Sequence, residues 1–218
     1  MKRTLFFISL ILCICACKQT TKLHTITYIR YLSDEAQMNV MFRVLDEKDS
    51  TKTRKIDDAF FNDGAMERKQ NKVQGLFYEA IRDGKYPDVF SFRFKDAKKN
   101  YAFDLKASKI EELAAKDSLA HQLNGLTLSW KGEPLSKNET LTILITDSEG
   151  EVAEAKIQGA TAKTEVQIPG AMFSGLKSGK GTIYVVKTYT KNIDNEQLTT
   201  DTSIDFYSKV INVNLVAK

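Results

Sequence analysis

The chain has 218 residues, 42% of them hydrophobic and 28% charged, and a net charge of +4. That apolar content is enough for a packed core and excludes a disordered chain, and the length suits one large or two small domains. Charges alternate in sign, as in "DEKDSTKTRKIDD", so the basic stripe that a nucleic-acid binder requires is absent.

The chain opens "MKRTLFFISLILCICAC". Lys2 and Arg3 give a positive start, and Leu5 to Ala16 form a nearly unbroken apolar run. As a helix, about twelve residues reach roughly 18 Å. That is well short of a bilayer core of about 30 Å, so the run reads as a secretory signal and not as a membrane span. All three cysteines fall here, at Cys13, Cys15 and Cys17. "ICAC" resembles the lipobox of bacterial lipoproteins, with Ile14, Cys15 and Ala16 as recognition residues. Bulky Leu12 and Ile14 precede Cys13 and Cys15, whereas small Ala16 precedes Cys17. The resemblance implies a signal peptide over 1–16, an acylated (palmitate-type) Cys17 and a tether over 17–23. Its partner there is membrane lipid, held by two or three chains, and two or more chains make a stable anchor. Cleavage would halve the net charge and leave no second thiol, so the domains rely on their cores without a disulfide.

The first domain is expected over 24–106. In "QMNVMFRVLD", Met38, Val40, Phe42 and Val44 alternate with polar residues, which predicts a half-buried strand. Asn62-Asp63-Gly64 is a turn signal. In "DVFSFRFKDAKKNYAFDLKA", Phe90, Phe92 and Phe94 line one face, and Tyr101, Phe103 and Leu105 line the return strand. That predicts a hairpin with one dry side. Residues 107–123 read as a short helix or an irregular linker, because Ser108 and Glu111 fit a capping box and Ile110, Leu113 and Ala114 share a side.

The second domain is expected over 124–218. "GLTLSWKG" turns Leu126, Leu128 and Trp130 inward, and "ETLTILITDSEGEVAEAKIQG" reads as a hairpin with Gly150 at its turn. "TEVQIPG", "GTIYVVKTYTK" and "DFYSKVINVNLVAK" supply further strands. Pro87, Pro134 and Pro169 sit where strands begin or end, since proline has no N–H for a ladder. Gly84-Lys85 and Gly179-Lys180 each precede a long aromatic-bearing strand, about one Ig-like domain apart.

"LTLSW" resembles the second strand of fibronectin type III and related Ig-like modules. Leu176, Gly179 and Tyr184 resemble the approach to their penultimate strand. The whole chain resembles the Ig-like lipoproteins of Bacteroidetes-type bacteria. The expected fold is therefore all-β: two tandem Ig-like β-sandwich domains after a lipoprotein signal peptide.

No motif for catalysis stands out. His121 lies near Asp117 and Ser118, but three polar residues in a linker lack the rigid scaffold a triad needs. Metal-ligand spacings, calcium loops and glycine-rich phosphate loops are missing, so no metal or cofactor is expected. The candidate ligand-binding residues are aromatic. In the adjacent pairs Phe60-Phe61 and Phe206-Tyr207 one ring of each must face outward on a regular strand, and Tyr86 lies beside a turn. Tyr86, Phe61 and Tyr207 are the nominated residues. The expected function is a non-catalytic, lipid-anchored envelope protein whose partner is an envelope protein or a glycan. The alternative is a carbohydrate-binding accessory lipoprotein of a nutrient-uptake system. Lys18, Gln19 and Lys22 after Cys17 favour the periplasmic face of the outer membrane over the cell surface.

Overall fold

Strict alternation of inward and outward side chains opens the described part of the chain. In β1 (Leu23–Leu32), Leu23, Thr25, Thr27, Ile29 and Tyr31 are buried and their neighbours are not. The computed structural model describes residues 22–46, 49–97 and 99–216. The expected signal peptide and Cys17 lie outside these residues. Leu23, assigned above to the tether, is the first strand residue and is 1% exposed.

The first half continues with β2 (Gln37–Val44), β3 (Asp58–Phe61), β4 (Gly64–Ala65), β5 (Glu67–Asn71), β6 (Gly75–Asp83), β7 (Phe90–Asp96) and β8 (Lys99–Leu105). The second half supplies β9 (Ile110–Ala115), β10 (Leu119–His121), β11 (Leu126–Gly132), β12 (Glu139–Thr146) and β13 (Val152–Gln158). It ends with β14 (Glu165–Ile168), β15 (Gly179–Asp194), β16 (Leu198–Tyr207) and β17 (Ile211–Val216). Two short 3-10 turns, Lys116–Ser118 and Gly170–Phe173, are the helical segments among the described residues. The protein is all-β.

Three sheets form from these strands. The largest runs β10-β17-β15-β16-β1-β2-β6-β5, with β12 and then β13 on the other side of β15. Two smaller sheets, β4-β3-β7-β8 and β14-β11-β9, face it. In the first half the layers meet through rings. Phe42 of β2 lies 4.9 Å from Phe94 and 5.9 Å from Phe92, centroid to centroid. In the second half Leu126, Leu128 and Trp130 of β11 join Leu141, Ile143, Ile145, Ile183 and Val185 in the same apolar cluster. Each fully buried side chain of this size contributes about 1.5–3 kcal/mol, so this sandwich-like layering holds the described residues, which include no cysteine, together.

Two segments differ from expectation. Residues 107–123 form neither a helix nor a loose linker: β9 pairs antiparallel with β11, and β10 pairs parallel with β17. Their alternation is masked because Glu112 has φ +47° and the β9–β11 register shifts between Ser129 and Lys131, a bulge that imitates helical spacing. The second difference is long-range. β16 leaves the second-half layers and runs parallel to β1 over its whole length, from Leu23↔Leu198 to Leu32↔Tyr207. The β15–β16 hairpin is thus an arm that completes the first half's sheet.

The crossing point is β15. Along one edge it pairs with β12; along the other it pairs first with β17 and then with β16. Between the two ladders, at Ser208, the Val185 N–H donates to the Ser208 Oγ at 2.9 Å and the Ser208 N–H donates to the Val185 carbonyl. One hydroxyl thereby fills the gap where β16 gives way to β17.

Candidate binding surfaces

The nominated rings fall in three different environments. Phe61 is 0% exposed, because its register partner Phe92 turns it into the core, where the ring centroids lie 5.0 Å apart. Tyr86 is also buried: Tyr31, Phe90 and Phe206 meet its ring edge-on at 5.1–5.4 Å. Neither offers an exposed ring face as a stacking platform, which corrects both as outward-facing aromatics, although Tyr86 still lines a cavity with Ser108. Tyr207 is half-buried, and the Arg30 guanidinium sits 4.5 Å above its ring, so one face is taken by a cation–π contact. The rule that one ring of each adjacent pair faces out holds, since Phe60 and Tyr207 are the outward members.

Of the Phe60-Phe61 pair the outward ring is Phe60, not the nominated Phe61. Phe60 stands on the outer face of the β4-β3-β7-β8 sheet, 39% exposed, beside a concavity of about 530 Å³. Register places two rows of side chains across this face. Asp58 faces Lys95, which faces Asn100; Phe60 faces Arg93, which faces Ala102. Ala102, the short member of these rows, leaves the depression between longer neighbours. Tyr101 lines its edge, with its ring stacked on Phe94 at 4.9 Å. The Arg93 guanidinium donates to Asp63 at 2.9 Å.

The Asn62-Asp63 turn holds this rim in place. Both residues have positive φ, +44° and +63°, which suits the two-residue connection between Phe61 and Gly64. The Asn62 Oδ1 accepts the Ser91 N–H at 2.8 Å, and the Asn62 N–H donates to the Ser91 carbonyl at 2.9 Å. The turn is therefore stitched to β7 on its backbone.

A second polar cluster lies where the halves join. Lys187, 2% exposed, and Glu139, 4% exposed, form an ion pair at 2.8 Å. The Lys187 Nζ also donates to the Ser108 Oγ at 2.5 Å, and the other Glu139 oxygen accepts the Ser136 N–H at 2.7 Å. The Tyr86 Oη is buried with no hydrogen-bond partner among the described residues, and burial, aided by the charge of Glu139, pushes its phenol up. Ser108 and Tyr86 line a cavity of about 490 Å³ with Lys109, Glu111 and Glu133. A lysine beside a serine is a nucleophile–base geometry, but the Lys187 ammonium is committed to Glu139. This cluster ties β12 and β15 of the second half to Ser108, in the connection between β8 and β9.

Of the two histidines, His24 meets Asp201 at 2.8 Å on the outer face of β1–β16, and His121 is half-buried in β10. Among the described residues no three His, Cys, Asp or Glu side chains converge as metal ligands, and no helix is long and apolar enough to cross a membrane. The chain matches no protein-family model and no curated protein sequence.

Proposed function

We propose that the chain is a lipid-anchored cell-envelope protein that works by binding and not by catalysis, its halves built as two Ig-like sandwich modules. The reading places acylated Cys17 in the outer membrane, on its periplasmic face, with an envelope protein or a glycan as partner. The observation that carries it is the position of the chain's entry. Leu23 pairs with Leu198 at the tip of the hairpin arm, and Lys22 bonds Asp194 there at 2.9 Å. From that tip β15 runs sixteen residues into the second half, about 50 Å at strand rise. A tether at one end of a rigid sheet presents the loops at the other end away from the membrane. The split of the first second-half segment between sheets, β9 on β11 and β10 on β17, supports the Ig-like assignment.

The experiment is detergent phase partitioning of the full chain against Cys17→Ala, with protease added to intact cells. The anchor predicts that wild type enters the detergent phase and Cys17→Ala the aqueous phase. Equal partitioning would remove it. Protection from protease until the outer membrane is opened is the outcome for a periplasmic face; shaving from whole cells places the protein on the surface. The concavity beside Phe60 favours a second reading, a carbohydrate-binding accessory lipoprotein of a nutrient-uptake system.

A further inference from the structure

We infer that the depression on the outer face of β3, β7 and β8 is a saccharide subsite, with Phe60 as its stacking platform. The inference rests on the binding-protein reading above and names what is bound and where.

Three properties of the surface point to a neutral sugar ring. The first is the pairing of one exposed aromatic face with groups that both donate and accept. A pyranose has an apolar C–H face bordered by hydroxyls that each need a donor and an acceptor. Phe60 offers the apolar face, and around it Asp58 and Asp63 accept, Arg93 and Lys95 donate, and the Asn100 amide does both. Arg93 uses one of its five N–H groups on Asp63, which leaves donors directed elsewhere.

The second is charge. Two carboxylates and two cations surround the depression, so it has no net charge to select an anion or a cation. A nucleotide or phosphopeptide site would carry an excess of arginine and lysine, and an ammonium site would form an aromatic cage. The third is size and stiffness. About 530 Å³ lies within the 300–1,000 Å³ of small-molecule sites. Phe61 buried beneath and the Asn62–Ser91 bonds fix β3, so little conformational freedom is lost on binding. The platform is built into a strand and not carried on a loop.

The test uses the full-length chain in detergent micelles on an array of neutral and uronic-acid oligosaccharides. Wild type is expected to retain one or more neutral oligosaccharides. Phe60→Ala should weaken retention about tenfold, and Phe60→Trp should keep or strengthen it. Because position 60 faces solvent, Phe60→Ala is expected to keep the fold, checked by an unchanged unfolding midpoint and unchanged amide protection in β3 and β7. Retention of no oligosaccharide, equal retention by Phe60→Ala, or retention of acidic glycans alone that salt abolishes would each overturn the subsite. Cys17→Ala should bind the same glycans as wild type. A failed anchor and a failed sugar site are thereby separate results.

Discussion

The two halves solve the same packing problem with different side chains, and the first borrows an edge strand from the second. Beyond residue 105 the described phenylalanines are Phe173 and Phe206, and Phe206 belongs to the arm that packs on Tyr31 and Tyr86 of the first half. The second half is filled by leucine, isoleucine and valine around Trp130. Its two layers close on strands drawn from residues 110–216. The first half has a ring-rich core, with Phe42, Phe61, Phe90, Phe92, Phe94 and Phe103 in mutual contact, but its larger sheet ends at β1 without the arm. An uncovered β1 would expose a row of unpaired N–H and C=O groups and one side of the Tyr31–Tyr86 cluster. The lesson is that a rich core does not make a half self-sufficient when its edge is supplied from elsewhere.

Shortening the arm should break this asymmetry most severely. Replacing Lys191–Thr202 by Asn-Gly joins Thr190 to its register partner Ser203 through a two-residue turn and strips the partner from the first half of β1. It also removes Leu198 and the buried Thr200 and Thr202 from the core. The first half is expected to lose about 5 kcal/mol or more, comparable to a whole domain's stability. The second half should keep its fold. Trp130, the single tryptophan, reports on the second half alone, and amide exchange reports on β1 and β2. Native Trp130 fluorescence with unprotected β1 and β2 amides is the expected result. Unfolding of both halves together would show that the second half depends on the first as well.

Next in size is the buried ion pair at the join. Lys187 sits where β15 is flanked by β12 on one edge and β16 on the other, pairing with both Leu141 and Phe206. Lys187→Met leaves Glu139 buried without its cation, which should cost about 3–5 kcal/mol in urea unfolding. Adding Glu139→Gln removes that stranded charge while keeping an acceptor for the Ser136 N–H, and should recover about 1–2 kcal/mol. A double variant no more stable than Lys187→Met would mean that packing of the lysine stem, and not the charge, is what matters.

Local alternation made the strands legible and left their partners hidden. Met38 to Val44 and Phe90 to Leu105 carry their burial pattern in their own spacing, and the structure follows it residue by residue. Nothing within residues 23–32 indicates that their neighbour lies at 198–207, because a parallel ladder is set by pairing across the chain and not by spacing along it. The same limit explains Phe60 and Phe61. Period two says that one ring faces out; which one depends on the Phe61↔Phe92 register. At 110–115 the bulge beside Glu112 disguised a strand as a helix.

The smallest expected effect concerns the outer face of the arm. There Asn192 donates to one Asp201 oxygen at 2.8 Å and His24 meets the other at 2.8 Å. The Asn192 bond first, and His24 second, hold the Asp201 carboxyl below its ordinary value of 3.8. A carboxyl lowered in the folded state stabilises it fully above its unfolded value, near 3.9, and that contribution is lost as pH falls through the folded value. Asp201→Asn should therefore be less stable than wild type at neutral pH, within the range of about 0–1 kcal/mol for exposed pairs. The gap should close as the pH falls through the lowered folded value of Asp201. Urea midpoints at neutral and acid pH measure it directly. A gap that persists unchanged in acid would assign Asp201 a role in hydrogen-bond shape alone, and the arm would then be held to β1 by its ladder and Phe206, not by charge.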